Sequence, residues 1–425
     1  MPARRDGAML VGMRKYRIWF IASVLFLLLL VAMSLPRVSA FQYVHHWRVN
    51  FSGSLYVSGN QSLPVSPFWS YIGNTSWQTC EQKFFAMTQN NETIVATGIG
   101  IDDDGNPRLS LNLTSPLAPQ DVLIWEEEWM FTVLDHRSLL PQISVTQSGS
   151  LVEVEERIGS EDFDLFTHRT PLWDTTNTSL TDLAQTIRDG LPEERQDNVL
   201  ALIYASIQWI QANIFQSSGV TDPQYPEELI ISQNGDCDDQ SNLLICLLRI
   251  FGIPSYLMTG HWFQEGARTY GFVWGSVANN SYRYVDFQNA VGHGWAMVFV
   301  PPWGWLPFDL LSVGVGVNPA NTYADSLYAS DRPFVSLWQI VASDYIGEMR
   351  TEQTNLFTYQ LHRTEYEDWT SLGSVPIVDA EYLAANMVTL IALIITLGSL
   401  TFLVGLAIRR HSQEDPNRDS TAPTQ

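Results

Sequence analysis

Two uncharged apolar segments constrain this chain more than any other feature. They cover residues 18–35 and 387–408 of a 425-residue sequence. The second segment, as a helix rising 1.5 Å per residue, would be about 33 Å long, which matches the hydrocarbon core of a bilayer. We therefore expect a transmembrane helix at 385–408, and a transmembrane helix or signal peptide at 18–36.

Basic residues lie on the outer side of each apolar segment. They are Arg14, Lys15 and Arg17 before the first segment, and Arg409 and Arg410 after the second. Cationic flanks stay on the cytoplasmic side, so residues 1–17 and 409–425 are predicted to be cytoplasmic. The chain between the two segments then lies outside the cell membrane.

The N-terminal segment has an alternative interpretation that leads to the same side of the membrane. Small residues at Val38–Ala40 resemble a signal-peptidase site, and cleavage after Ala40 would leave only the C-terminal anchor. Seven N-x-[ST] triplets give weak further support for export, at Asn50, Asn60, Asn74, Asn91, Asn112, Asn177 and Asn279.

The exported part is strongly acidic. The formal net charge of the chain is -22, and residues 1–17 carry +4 while the tail 409–425 carries none, so the middle carries -26. Such a surface repels nucleic acid, and no DNA or RNA partner is expected.

Residues 41–158 have the pattern of a β-rich extracellular domain. Residues 92–101 and 108–113 flank an Asp-Asp-Asp-Gly-Asn-Pro turn and predict a hairpin. Apolar and polar residues alternate at 151–156, which favours another strand.

The pattern changes near Pro171, where helices are predicted at 181–189 and 198–214. We assign residues 160–318 to one domain and residues 319–383, which are less regular, to a membrane-proximal extension. Strands are predicted in the second half of the domain at 256–259, 270–277, 282–287, 295–300 and 305–309.

Cys237 lies at a predicted helix start, since Asp236 is a good N-cap and a leucine-rich run follows. Unsatisfied N–H groups and the helix dipole favour a thiolate there, which is the form that attacks a carbonyl. Cys246 lies nine residues later, about 180° around the helix, and is expected to be inert core. A bridge between Cys80 and Cys246 stays open.

His293 and Asp309 are the predicted partners of that sulfur. The Pro301-Pro302-Trp303-Gly304 stretch predicts a turn that returns Asp309 beside His293, which is placed at the start of a strand. The carboxylate would fix the imidazole tautomer and the other ring nitrogen would face the sulfur. Asp286 is an alternative acid.

Three blocks in order resemble the transglutaminase-like superfamily of papain-type thiol enzymes over about residues 170–310. They are Gly235-Asp236-Cys237 followed by Leu247-Leu248-Arg249, then Gly252-Ile253-Pro254, then His293-Gly294-Trp295 with Val298, Pro301, Gly304-Trp305-Leu306-Pro307 and Asp309. The chain departs from the family pattern at Met297, where Glu is frequent, and at Leu310 and Leu311, where small polar residues are usual.

The resemblance implies an α+β fold, in which a helix bearing Cys237 packs on an antiparallel sheet bearing His293 and Asp309. It also implies a thioester intermediate on Cys237, with its backbone N–H as one oxyanion donor, while Trp209 is expected to be core rather than the second donor. No metal or cofactor is expected; the partners are a protein or peptide substrate and the membrane.

Activity on amide bonds, most often as a protease or amidase, is what the resemblance implies. Two alternatives remain open at this stage. One is a protein cross-linking transglutaminase, although Lys15 and Lys83 are the only lysines of the sequence. The other is a non-catalytic binding module of the cell envelope. A sugar-amide hydrolase is disfavoured because the paired-cysteine zinc motifs of the peptide:N-glycanase branch are missing.

Overall fold

The computed structural model describes residues 42–113, 116–134, 143–217, 222–310 and 334–377. Both predicted apolar segments, the cleavage site at Ala40 and the two predicted cytoplasmic ends lie outside these residues. Within the described ranges, no helix combines the length and the apolarity that a bilayer crossing requires.

The described chain contains strands, α-helices and two short 3-10 turns. The strands are β1 Gln42–Val57, β2 Phe68–Ser70, β3 Gln78–Gln89, β4 Glu92–Ile94, β5 Ala96–Ile101, β6 Pro107–Leu111, β7 Val122–Leu134, β8 Phe215–Gln216, β9 Asn234–Gly235, β10 Ser255–Ser276, β11 Ser281–Val300, β12 Gly304–Phe308, β13 Phe334–Ile340 and β14 Leu361–Ile377. The helices are α1 Leu151–Ile158, α2 Ser160–Thr167, α3 Thr178–Asp189, α4 Val199–Asn213, α5 Pro226–Ser232, α6 Cys237–Ile250 and α7 Tyr345–Thr358.

One sheet runs through the three segments that the sequence assigned separately. Its order is β13-β10-β11-β14-β1-β7-β3-β4, with β12 paired to β11. β11 and β14 run parallel, from Tyr282↔His362 to Gln288↔Asp368. The ladders β1–β7, β3–β7, β3–β4, β10–β11, β10–β13 and β11–β12 are antiparallel. Residues Gln42–Pro376 form one compact unit, and this is an α+β architecture in which strands far apart in sequence share a sheet.

The predicted hairpin and the predicted strand at 151–156 have different outcomes. The hairpin is confirmed, since β5 pairs antiparallel with β6 around the Asp102–Asn106 turn. The strand prediction is wrong, because these residues belong to α1. Ser150 is the N-cap and has an extended backbone, and its N–H donates to the carboxylate of Glu153, three residues later. This bond is typical of a helix start. Val154 is fully buried.

Two pairs of predicted strands are each one continuous strand. Residues 256–259 and 270–276 belong to β10, while Val277 begins a 3-10 turn, and residues 282–287 and 295–300 belong to β11. The ladder between them contains register shifts at Phe263/Arg268 and at Phe272/Trp274, which absorb the irregular pattern that suggested breaks. The predicted membrane-proximal extension is also more regular than expected, because it supplies β13, α7 and β14.

The helical layer places Cys237 against the sheet. The predicted helices at 181–189 and 198–214 are confirmed as α3 and α4, capped by Asn177 and Asn198. Both pack around α6, whose residues from Asp239 to Arg249 are buried. The apolar core of this layer continues into sheet residues Leu257, Ala296, Val298, Val300, Leu306 and Phe308. A helix buried along this length fixes the position of its first turn.

Candidate active site

Cys237 is the first residue of α6, as the sequence predicts. Asp236 precedes it with an extended backbone, and the Asp236 N–H donates to the carboxylate of Asp239 at 3.2 Å. The other Asp239 oxygen accepts the backbone N–H of Gln224 at 2.7 Å. Asp239 is fully buried, so the helix start is tied to the preceding loop.

His293 and Asp309 face each other across the β11–β12 hairpin. His293 Nε2 lies 2.8 Å from Asp309 Oδ2, and both side chains are almost completely buried. Residues 301–303 form the turn that the sequence predicts. His293 lies inside the 20-residue β11 and not at a strand start. The rings of Trp262 and Trp295 lie 6.3 and 6.0 Å from the imidazole, centroid to centroid.

The imidazole of His293 is also hydrogen-bonded to the Cys237 side chain. Because Nε2 is engaged by Asp309, Nδ1 is the nitrogen that faces the sulfur. The two backbones approach closely beside this contact: a Cβ added at Gly294 would lie 3.1 Å from the Cβ of Asp238. The structure therefore brings together all three residues that the sequence singled out.

The protonation states differ from the sequence expectation. Burial raises the pKa of the Cys237 thiol, and Asp238 and Asp236 add to the rise, while His293 opposes it. Burial alone would lower the pKa of His293, but Asp309 raises it well above its usual value of 6.5. The direction for Cys237 is opposite to the lowering that the helix start favours, because burial and the neighbouring carboxylates act against ionisation.

The alternative acid lies elsewhere. Asp286 is paired with Arg268, whose Nε and Nη2 donate to its two carboxylate oxygens at 2.8 and 2.6 Å. Its pKa is lowered by that guanidinium. This two-point pairing leaves Asp309 as the carboxylate at His293.

The other two cysteines have the surroundings of structural thiols. All three cysteines are free. Cys246 is fully buried in the helical core, as predicted, and burial raises the pKa of its thiol. Cys80 donates to the carbonyl of Ile72 at 3.1 Å, and burial raises its pKa to about 12. Among the described residues, no imidazole is hydrogen-bonded to either thiol.

The remaining expectations concern the oxyanion site and a metal. Trp209 is half-buried and packs against the helical core, in line with a core role. The potential ligand atoms of Asp236, Cys237 and Asp238 lie within 4.8 Å of one another. A cluster of neighbouring acidic side chains is not in itself a metal site. The charge of the two carboxylates instead opposes ionisation of Cys237.

Sequence reasoning missed one contact to the first turn of α6. The hydroxyl of Tyr345, the first residue of α7, donates to Asp238 Oδ2 at 2.5 Å. A helix start was readable there, because Asp344 is a good N-cap and its side chain accepts the N–H of Gly347. Its distance from Cys237 in sequence hid the contact.

The family comparison bears on this region. Residues 182–310 match the family model described as the transglutaminase-like superfamily. The family model therefore assigns a transglutaminase-like domain to residues 182–310. The match contains α6, the β11–β12 hairpin and Asp309, and it falls inside the domain predicted at 160–318.

Relatives of the transglutaminase-like region are distant. The uncharacterized protein YebA of Bacillus subtilis is 26% identical over 141 residues, which is 31% of this chain. The match spans only 18% of that relative's length. The activity of the whole protein is therefore a matter for proposal.

Solved structures with a similar chain path are equally distant. A candidate cysteine protease from Cytophaga hutchinsonii has 14% identity and a TM-score of 0.41, over 80% of this chain and 94% of that one. The periplasmic domain of TgpA from Pseudomonas aeruginosa has 13% identity and a TM-score of 0.29, over 69% and 92%. Red sea bream transglutaminase has 10% identity and a TM-score of 0.26, over 65% and 47%. Scores this low carry no functional argument.

Proposed function

We propose that this protein is a membrane-anchored, outward-facing thiol enzyme that acts on amide bonds, with Cys237 as nucleophile, His293 as base and Asp309 as orienting acid. One observation carries the proposal: a single imidazole lies between a half-buried thiol and a buried carboxylate, with 2.8 Å separating Nε2 from Asp309 Oδ2. That constellation is the one that thiol acyl transfer needs.

In the acylation step, the Cys237 sulfur attacks the carbonyl carbon of an amide while His293 Nδ1 accepts the thiol proton. The imidazolium then gives this proton to the departing amine, the C–N bond breaks and a thioester remains on Cys237. Asp309 stabilises the imidazolium throughout. The Cys237 backbone N–H, at a helix start where it has no partner within the helix, is the proposed first donor to the oxyanion.

In the deacylation step, we propose that water attacks the thioester, with His293 accepting its proton and returning it to the leaving sulfur. The products are a carboxylic acid and the regenerated thiol, so the reaction is that of a protease or amidase. Water is the proposed acceptor because microbial members of this superfamily are commonly regarded as peptidases. A primary amine in place of water would instead give a cross-linking transglutaminase.

The location is the second part of the proposal. Apolar segments at 18–35 and 387–408, with basic residues on their outer sides, support an anchored chain whose middle is outside. A membrane-impermeant maleimide applied to intact cells that express the full chain is expected to label Cys237. Labelling only after the membrane is opened would refute the outward orientation.

The activity is tested with p-nitrophenyl acetate, an activated ester that acylates reactive thiols. The full-length protein in mild detergent is expected to acquire one acetyl group on Cys237, located by peptide mass spectrometry, and to turn over. Cys237→Ala should lose both signals while Cys246→Ala retains them. Absence of turnover in the folded wild type would instead favour the non-catalytic module.

The acyl acceptor is tested with peptide substrates. A glutamine-containing peptide is incubated with the wild type, with and without an added primary amine, and the products are weighed by mass spectrometry. Chain cleavage or deamidation in both samples supports hydrolysis. An amine adduct as the main product would refute it and identify a transglutaminase.

A further inference from the structure

A fixed negative charge lies beside the proposed nucleophile. Asp238 follows Cys237 directly, and its Oδ1 lies 3.9 Å from the Cys237 sulfur. Its Cβ packs against Gly294, next to His293, so the residue is wedged between the two halves of the site. A carboxylate at this distance disfavours a thiolate. An enzyme that needs this thiolate must limit the effect of the charge.

Tyr345 contacts that carboxylate through a chain of hydrogen bonds with a defined direction. Trp173 Nε1, which can only donate, donates to Asn242 Oδ1 at 3.3 Å. The amide is thereby oriented so that Asn242 Nδ2 donates to the Tyr345 hydroxyl oxygen at 2.8 Å. The phenol proton is left to point at Asp238 Oδ2, 2.5 Å away. This series of hydrogen bonds therefore places a donor at Asp238, and its direction is fixed because Trp173 Nε1 can only donate.

We propose that Tyr345 is a positioning residue for the Cys237 nucleophile, because its buried phenol turns the Asp238 carboxylate and compensates its charge. This inference rests on the proposed role of Cys237 as nucleophile. Tyr345 lies in α7, outside the residues 182–310 that match the transglutaminase-like family. The residue therefore adds to the site from a part of the chain that the family pattern does not include.

Several titratable groups act on Cys237 or Asp238, either directly or, for Asp309, through His293. They are Asp236, Asp238 and Asp239 of the α6 start, His293 of β11, Asp309 after β12, and Tyr345 of α7. Among the three aspartates, Asp239 already accepts two backbone N–H groups, and burial raises its pKa to about 6. Asp238 is the carboxylate that the phenol controls.

Removal of the hydroxyl has a defined consequence. In Tyr345→Phe the ring still fills its buried site, but Asp238 loses the hydrogen bond that compensates its charge. The pKa of the Cys237 thiol should then rise, and below the pKa each unit lowers the thiolate fraction tenfold. We expect alkylation of Cys237 by iodoacetamide at pH 8 to slow about three- to tenfold, which corresponds to half a unit to one unit.

The experiment measures this rate from pH 6 to 10 on the full-length protein, with peptide mass spectrometry to separate Cys237 from the other two thiols. The variants are Tyr345→Phe, Asp238→Asn and the double variant. Tyr225→Phe is the matched control, since its hydroxyl donates to Asp344 at 2.9 Å, at the same end of α7, without touching Asp238. Thermal unfolding of each variant shows whether it is folded.

Support requires three results together. Tyr345→Phe shifts the alkylation profile to higher pH, Tyr225→Phe leaves it unchanged, and in the Asp238→Asn background the Tyr345 change has an effect within about twofold. An unshifted profile, or an equal shift in both backgrounds, overturns the proposal and leaves a purely structural tyrosine. Should Tyr345→Phe not fold, Asn242→Ala removes the orienting donor, and the same shift is required of it.

Failure of this inference is distinguishable from failure of the proposed function. Alkylation needs an ionised sulfur but no turnover, so the profile is measurable even in a protein that hydrolyses nothing. Turnover of p-nitrophenyl acetate is recorded on the same samples. Turnover with an unshifted Tyr345→Phe profile refutes only the role of Tyr345, whereas a shifted profile without any turnover refutes only the catalytic proposal.

Discussion

Replacement of Asp309 by Asn is the sharpest test of the proposed triad. It removes the charge of the acid while keeping its shape. Asp286→Asn is the matched control, because the sequence left Asp286 open as the acid and the structure pairs it with Arg268. The two substitutions are chemically identical and differ in whether His293 is the partner.

The expected magnitudes follow from burial. The side chains of His293 and Asp309 are 4% and 5% exposed, and removing one partner of a buried pair costs about 3–5 kcal/mol. If this cost appears in the transition state, at about 1.36 kcal/mol per factor of ten, the rate falls roughly 10²–10⁴-fold. In the control pair the Asp286 side chain is 8% exposed, but Arg268 is 54% exposed and stays hydrated. We therefore expect this pair to contribute about 1 kcal/mol, and the rate of Asp286→Asn to stay within about fivefold.

The pH dependence of turnover gives a second, independent test of the role of Asp309. In the wild type, Asp309 raises the pKa of His293 well above 6.5 against the opposing effect of burial. Since the Cys237–His293 pair must lose one proton before attack, the acid limb of the activity profile lies above pH 6.5. In Asp309→Asn the lowering by burial and the smaller raising by Cys237 remain, but the raising by Asp309 is lost. The acid limb should therefore move to lower pH while the maximal rate falls.

The assay is p-nitrophenyl acetate turnover by the full-length protein from pH 5 to 10, with Cys237→Ala as the blank at each pH. Support is a large loss and an acid limb displaced to lower pH for Asp309→Asn, with a nearly normal profile for Asp286→Asn. The reasoning is refuted if Asp286→Asn causes the larger loss, or if Asp309→Asn loses rate with no movement of the acid limb.

Two further predictions use neighbouring residues as controls. Gly294→Ala places a Cβ 3.1 Å from the Cβ of Asp238, so we expect α6 and β11 to separate by a few tenths of an ångström. Turnover of p-nitrophenyl acetate should then fall about tenfold. In the control Gly292→Ala, the added Cβ meets nothing within 4 Å, and the rate should be unchanged. Asp104→Ala removes the acceptor of three backbone N–H groups just before α7, one of them buried and two half-buried. The buried donor left unpaired costs about 1–3 kcal/mol and the other two cost less. We therefore expect the melting temperature to fall by several degrees, whereas exposed Asp103 should tolerate Ala. Equal effects within either pair of variants would contradict the corresponding argument.

Local signals explain what could be predicted from the sequence. The helix at Cys237 follows from an N-cap and a leucine-rich run, and the β11–β12 hairpin follows from a turn of four residues between two apolar runs. Asp309 is sixteen residues from His293 in sequence, so one turn is enough to bring the two together. Prediction worked where the interacting groups are joined by one short connection.

Short patterns failed where two periodicities compete. Residues 151–156 alternate like a strand, yet they begin a helix, because the N-terminal capping of Ser150 by Glu153 acts on the same residues. Six residues are too few to separate a period of 2 from a period of 3.6. Ser150 followed by Glu153 three residues later indicates a helix start, and this signal predicts a helix at residues 151–156.

The pairing of strands far apart in sequence and the burial of the site could not be predicted from the sequence. Nothing in residues 42–57 or 361–377 indicates that β1 and β14 are neighbours in the sheet that carries His293. The same holds for the ionisation of Cys237, because the helix start is a local feature whereas desolvation depends on everything packed around the sulfur. A thiolate was expected from the local feature, and the pKa is raised by the non-local one.

The proposed site therefore depends on more of the chain than the region 182–310 that matches the transglutaminase-like superfamily. That region contains β10 and β11, but their sheet neighbours β13 and β14 lie beyond it. Tyr345 comes from the same later part, and the segment just before it is bound by Asp104 of the N-terminal hairpin. Because both sheet edges and the partner of Asp238 come from outside the matched region, the ionisation of Cys237 is a property of the whole unit Gln42–Pro376, and the matched region alone should show a different thiol pKa.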